Sequence, residues 1–159
     1  MATYKKIPVI SFLFLISCTD IVTDHLNKGL YELENSREIY KKINDEVSVQ
    51  KIGFFKLDDN SYRIAIMLND DITPEVIKKY SFGIHLKLEG DQAKFMPDGK
   101  SYLSWDFQPE LHTFNDHKYI IREVNTPVRY IKKMRLFLYN RGKYKERYGD
   151  NIFITRVSL

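Results

Sequence analysis

The sequence predicts a mainly β protein built as a two-sheet antiparallel sandwich, and three observations predict it. From Val47 onward, apolar and polar residues alternate at period two, the signature of strands with one face inward. Clusters of Asp, Asn, Ser, Gly and Pro separate the alternating runs, as turns between strands require. The chain has 159 residues, 43% hydrophobic and 29% charged, which suits one globular domain and excludes disordered and collagen-like classes.

The elements follow in order. Val47 to Leu57 reads as a strand, Asp58-Asp59-Asn60-Ser61 as a turn, and Tyr62 to Leu68 as the second arm of a hairpin. In that arm Tyr62, Ile64, Ile66 and Leu68 share one face, and Arg63, Ala65, Met67 and Asn69 the other, which predicts a half-buried strand. Thr73-Pro74-Glu75 reads as a helix start, with a capping hydroxyl, a proline at the first position and an acid at the positive end. That helix is expected over Pro74 to Tyr80, crossing between sheets. Phe82 to Glu89 alternates again, with Phe82, Ile84, Leu86 and Leu88 inward and His85 and Lys87 outward. Pro97-Asp98-Gly99 is a turn, and Ser101 to Phe107 places Leu103, Trp105 and Phe107 on one face, with Trp105 expected in the core. His117 to Val124, Lys132 to Tyr139 and Asn151 to Val157 supply three more strands. A sheet cannot bury one face alone, so two apolar faces must pack about 10 Å apart. The sum is about seven strands with one or two short helices over residues 47–159, a sandwich of immunoglobulin-like or transthyretin-like kind.

Residues 18–46 are mixed and polar, and read as a tether. A short helix is expected from Ser36 to Ile43, where Ile39, Tyr40 and Ile43 share a face, and Leu30 to Leu33 is an alternative first strand.

Residues 1–17 differ. Met1 to Lys6 is short and basic, and residues 7–17 form an apolar stretch of eleven. That length suits the apolar region of an export leader and falls short of the ~20 residues a spanning helix needs. The chain's one cysteine follows at once, in Leu15-Ile16-Ser17-Cys18. Leu, a variable residue, a small residue and Cys in that order resemble the lipobox of a bacterial lipoprotein signal peptide, with Ile16 bulkier than the Ala or Ser usual at its place. The resemblance implies cleavage before Cys18, a lipid on its thiol and an acyl chain on its new amino group. It implies a place at the bacterial cell envelope, lipid-anchored, periplasmic or surface-exposed. Each buried CH₂ of an acyl chain contributes about 0.8 kcal/mol, so several chains make a durable anchor.

Charge narrows the function. Of 25 Lys and Arg against 21 Asp and Glu, two bases lie in the leader, so the rest of the chain is close to neutral and no nucleic-acid partner is expected. His112 and His117 flank Thr113-Phe114-Asn115-Asp116 in an expected loop without a face to align metal ligands. Asp58-Asp59-Asn60 and Asn69-Asp70-Asp71 read as turn chemistry unless the two loops meet in space. The region from Arg129 to Tyr148 is unusual, with eight bases, one acid and four interleaved tyrosines. Arg forks suit carboxylate or phosphate, and Tyr offers a flat face with a polar tip. Its binding candidates are Arg129, Lys132, Tyr139, Arg141, Tyr144, Arg147 and Tyr148, on an expected long loop over residues 140–149. The sequence holds no phosphate loop, nucleophile elbow or zinc motif, so no catalytic residue, metal or cofactor is expected. The expected function is a non-catalytic binding or assembly module, held to a membrane by its N-terminal lipid, with an envelope protein or anionic glycan as partner. A carbohydrate-binding module and a small envelope enzyme are the alternatives.

Overall fold

A computed structural model describes residues 18–59, 61–88, 102–125, 131–143 and 147–153. Among them are two helices, α1 (Cys18–Glu34) and α2 (Pro74–Ile77), and nine strands: β1 (Lys41–Lys42), β2 (Ser48–Lys56), β3 (Ser61–Leu68), β4 (Tyr80–Leu88), β5 (Tyr102–Phe107), β6 (Leu111–Phe114), β7 (His117–Asn125), β8 (Ile131–Asn140) and β9 (Arg147–Phe153). They form two antiparallel sheets, a first in the order β1-β2-β3-β7-β6 and a second in the order β5-β4-β8-β9.

The sheets share one apolar core. Ile52 and Phe54 of β2, Ile64 and Ile66 of β3 and Ile120 of β7 pack with Phe82 and Ile84 of β4 and Met134, Leu136 and Leu138 of β8. This is the two-sheet sandwich that the alternation predicts. The β2–β3 hairpin forms where expected, in continuous register from Lys51↔Met67 to Lys56↔Tyr62. Helix α2 crosses between the sheets. Thr73 caps it by accepting the Val76 N–H, but it ends at Ile77 rather than Tyr80. The competing claim is the sheet: Tyr80 already pairs with Asn140 as the first residue of β4.

Four expectations give way. The segment read as a tether is helical over Cys18–Glu34, and its second half docks on the first sheet. Leu30 and Leu33, read as the start of a strand, are one helical turn apart and face Phe55, Ala65, Met67 and Tyr119. There is no helix over 36–43. Ser36 closes α1 on the Leu33 carbonyl, and the N–H groups of Ile39 and Tyr40 both go to the Gln50 carbonyl. Ile39 and Ile43 therefore reach the core from an extended arm that ends in β1. Strand β3 is not half-buried, because α1 covers the face bearing Ala65 and Met67.

The loop expected around His112 is a strand. β6 pairs with β7 through Asn115 and Asp116, whose φ values of 45° and 66° make the two-residue turn that antiparallel strands favour. Strand β9 begins at Arg147, four residues before the expected Asn151, so both ends of the expected 140–149 loop belong to strands. Trp105 pairs with Ile84 through its backbone, and its side chain lies outside the described residues, as do residues 1–17, with Leu15, Ile16 and Ser17 of the expected lipobox, and the side chain of Cys18. No helix among the described residues is long and apolar enough to cross a membrane.

Polar contacts lock α1 in place. Lys51, 6% exposed, donates from Nζ to the Glu34 carbonyl at the helix C-terminus, where a cation meets the negative end of the helix dipole. The Glu34 carboxylate accepts from Tyr119 Oη at 3.0 Å and Asn115 Nδ2 at 3.1 Å. Replacing Leu33, fully buried between α1 and the sheet, by Ala removes this seam and should cost about 2–5 kcal/mol. Thermal melting reads the loss, and faster amide exchange over 18–34 locates it.

Candidate functional site

The two sheets differ on their outer faces. The first is roofed by α1. The second carries Ser81, Gly83 and His85 of β4, Asp106 of β5, Arg135, Phe137 and Tyr139 of β8, and Arg147 and Gly149 of β9, with no described element over them. Period two puts Arg135, Phe137 and Tyr139 on this face, while Met134, Leu136 and Leu138 enter the core.

Phe137 is the centre of the face. It points away from the core, yet is 2% exposed. Two arginines and a histidine cover it. The Arg147 guanidinium lies 3.7 Å from the ring centroid, that of Arg135 4.5 Å, and the His85 ring packs edge-on at 4.7 Å. Arg147 also lies 5.3 Å from the Tyr139 ring. Guanidinium planes stack well on aromatic faces, a contact that uses the plane of the group and not its N–H edges.

Two glycines make this geometry. A Cβ on Gly149 would sit 2.9 Å from the Leu136 carbonyl and inside contact distance of Phe137, whose ring lies across that position. A Cβ on Gly83 would sit 2.5 Å from Asp106 Oδ1 and 3.0 Å from Tyr139 Cε2. With no side chain between them, Asp106 and Tyr139 meet low over β4. The face is thus a flat platform with an acceptor at one side and two cations at the other.

Among the described residues, electrostatics leave the arginines under-compensated. Both guanidiniums sit above one ring, so they are within about 8 Å of each other. That separation gives a repulsion of ~0.5 kcal/mol under water-like screening and ~2 kcal/mol near a protein surface. Among the described residues neither arginine forms an ion pair.

The sequence candidates divide between places. Tyr139 and Arg147 join the platform. Tyr148, next in chain, turns to the other side and packs edge-on against Tyr80 at 6.4 Å, so it belongs to the core margin. Arg141 lies in the exposed turn after β8, where its N–H donates to the Lys79 carbonyl at 2.8 Å. Lys132 lies in β8, but its side chain is outside the described residues, as are Arg129 and Tyr144 altogether. Arg135, Phe137, His85 and Asp106 are the members that sequence reading missed. The parity of Arg135-x-Phe137-x-Tyr139 was the available signal for the three on β8.

The other polar clusters are structural. The Asp58-Asp59 and Asp70-Asp71 turns lie at opposite ends of β3, so they do not meet. Lys56 pairs with Asp59, and Asp70 accepts from or pairs with His117 Nδ1 at 2.9 Å. No group of three metal-ligating residues occurs among the described residues. Near the 141–143 turn, Glu46 receives hydrogen bonds from Lys79 Nζ and Tyr80 Oη, tying the β1–β2 connection to the second sheet. Those two bonds hold the Glu46 carboxyl below its ordinary value. Burial, then the bond to Glu46, pushes the Tyr80 phenol up from 10.0 to about 12. Burial and the bond to Glu34 push Tyr119 up as well.

Two outcomes follow. A phenol raised by folding stabilises the fold fully below its unfolded value and loses that contribution as pH climbs through the folded one. Urea midpoints should therefore fall between pH 10 and pH 12, and Tyr80→Phe should flatten that limb. For Glu46 the sign reverses: its contribution is whole above the ordinary carboxylate value and is lost as pH falls through the lowered one. Separately, Gly149→Ala forces Phe137 off the sheet and should cost about 1–3 kcal/mol, read by melting, with the aromatic near-ultraviolet circular dichroism altered.

No protein-family model matches the chain, and neither a curated protein nor a solved structure does.

Proposed function

We propose that the chain is an exported, lipid-anchored, non-catalytic binding or assembly module of a bacterial cell envelope, and that it presents the outer face of the second sheet to its partner. The observation that carries this reading is the inequality of the two sheets. One outer face is roofed by α1, while the other bears stacked cations and aromatics with no described element over them. A structural face needs no pair of arginines held above one phenylalanine, whereas a surface that recognises an anionic partner uses such a pair directly. The leader supports the address, since an eleven-residue apolar stretch, residues 7–17, followed at once by Cys18 in Leu15-Ile16-Ser17-Cys18, suits lipid attachment at Cys18. The binding residues of this reading are Tyr139 and Arg147 from the basic region, with Arg135 and Asp106 added.

The test has two parts. Mass spectrometry of protein from its native membranes should find Cys18 as the first residue, carrying acyl chains. An intact Met1 or a bare thiol would remove the anchor. Capture of solubilised envelope material should fall about tenfold in Arg135→Gln/Arg147→Gln and stay unchanged in Arg141→Ser/Lys143→Ser. The opposite pattern would move the partner to the β8–β9 turn.

A further inference from the structure

We infer that the ligand of this platform is an acidic oligosaccharide, a chain of sugar rings bearing carboxylates. The inference rests on the reading of the outer face as the presented surface and adds its chemistry. Phe137 and Tyr139 stand on β8, and Gly83 on β4, the two internal strands of the sheet. Their backbone groups are paired on both sides, so no peptide strand can be added there, and recognition must come from side chains alone.

Those side chains offer three things. Arg135 and Arg147, parked on Phe137, present N–H forks that match the two oxygens of a carboxylate. Tyr139, half-buried, lends a flat apolar surface and a hydroxyl, on which the C–H face of a sugar ring can rest. Asp106, exposed beside Tyr139 over Gly83, accepts from ring hydroxyls. From β5 to β9 is three strand spacings, about 14 Å, room for more than one ring. The two cations favour an acidic sugar over a neutral one, because a bound carboxylate also relieves their mutual repulsion.

Calorimetry on the full chain in detergent tests this, with a galacturonic-acid trimer, a neutral galactose trimer, a polyglutamate peptide and phosphatidylglycerol vesicles as probes. The acidic trimer should bind at least tenfold more tightly than the neutral one, weaken with added salt, and lose at least tenfold in Arg135→Gln/Arg147→Gln. Arg135→Lys keeps the charge but not the fork, and should lose about threefold with the melting temperature unchanged. This single variant decides the matter if the double one fails to fold. Equal binding of the two sugars, no binding at 10 mM, tighter capture of the peptide or vesicles, or an unaffected Arg135→Lys overturns the inference. Because the measurement is made in solution, its failure leaves lipid anchorage standing, and a bare Cys18 in native material leaves this result standing.

Discussion

Strand β3 is buried on both faces, and the rest of the molecule is arranged around that constraint. Its even-numbered residues, Tyr62, Ile64, Ile66 and Leu68, meet the second sheet, while Ala65 and Met67 meet α1. The two sets form separate apolar clusters on either side of one strand. Neither the four-stranded sheet nor the helix can be removed without exposing a side of β3 to water. The buried Lys51 and the Glu34 carboxylate satisfy the polar atoms at the helix end, which would otherwise oppose that docking.

Much of this was legible in the chain. Alternation located the core strands because each has one face in a shared apolar interior, so period two is enforced at every residue. The elements that escaped were those whose pairing is set by distant contacts. The 36–43 segment has helical spacing, but Ile39 and Ile43 are placed by backbone bonds to Gln50 and Val47. β6 is four residues long, and its turn uses Asn115 and Asp116 rather than the Asn-Gly or Asp-Gly pairs that advertise a hairpin. α1 was hidden because its apolar stripe is short, Leu26, Leu30 and Leu33, and the polar remainder resembles a linker.

The site was half legible for a related reason. Composition marked residues 129–148 as basic and aromatic, and that is where Tyr139 and Arg147 lie. Composition has no direction, however. Tyr148 and Arg147 are neighbours in sequence and belong to opposite faces, and Arg135 and Arg147 share the Phe137 ring only because β8 and β9 pair with Phe137 opposite Gly149 and Tyr139 opposite Arg147. His85 and Asp106 come from β4 and β5, strands that end before that region begins. Charge is a property of a segment, whereas a surface is assembled by strand register.

Helix α1 has a directional consequence. Gly29 lies against Phe55 near the end of β2, and Glu34 lies against Lys51 nearer its start, so the helix points its first residues past the β2–β3 turn. Eleven residues separate Cys18 from Gly29, about 16 Å of helix. If a bilayer holds Cys18, the domain stands on a stiff post rather than swinging on a leash. The β2–β3 turn is then the foot, and the Asn140–Lys143 turn, bonded to Lys79 at the opposite end, is the crown. The strands of the second sheet run between foot and crown, so its outer face stands upright, with its long axis along the membrane normal and open to whatever lies alongside.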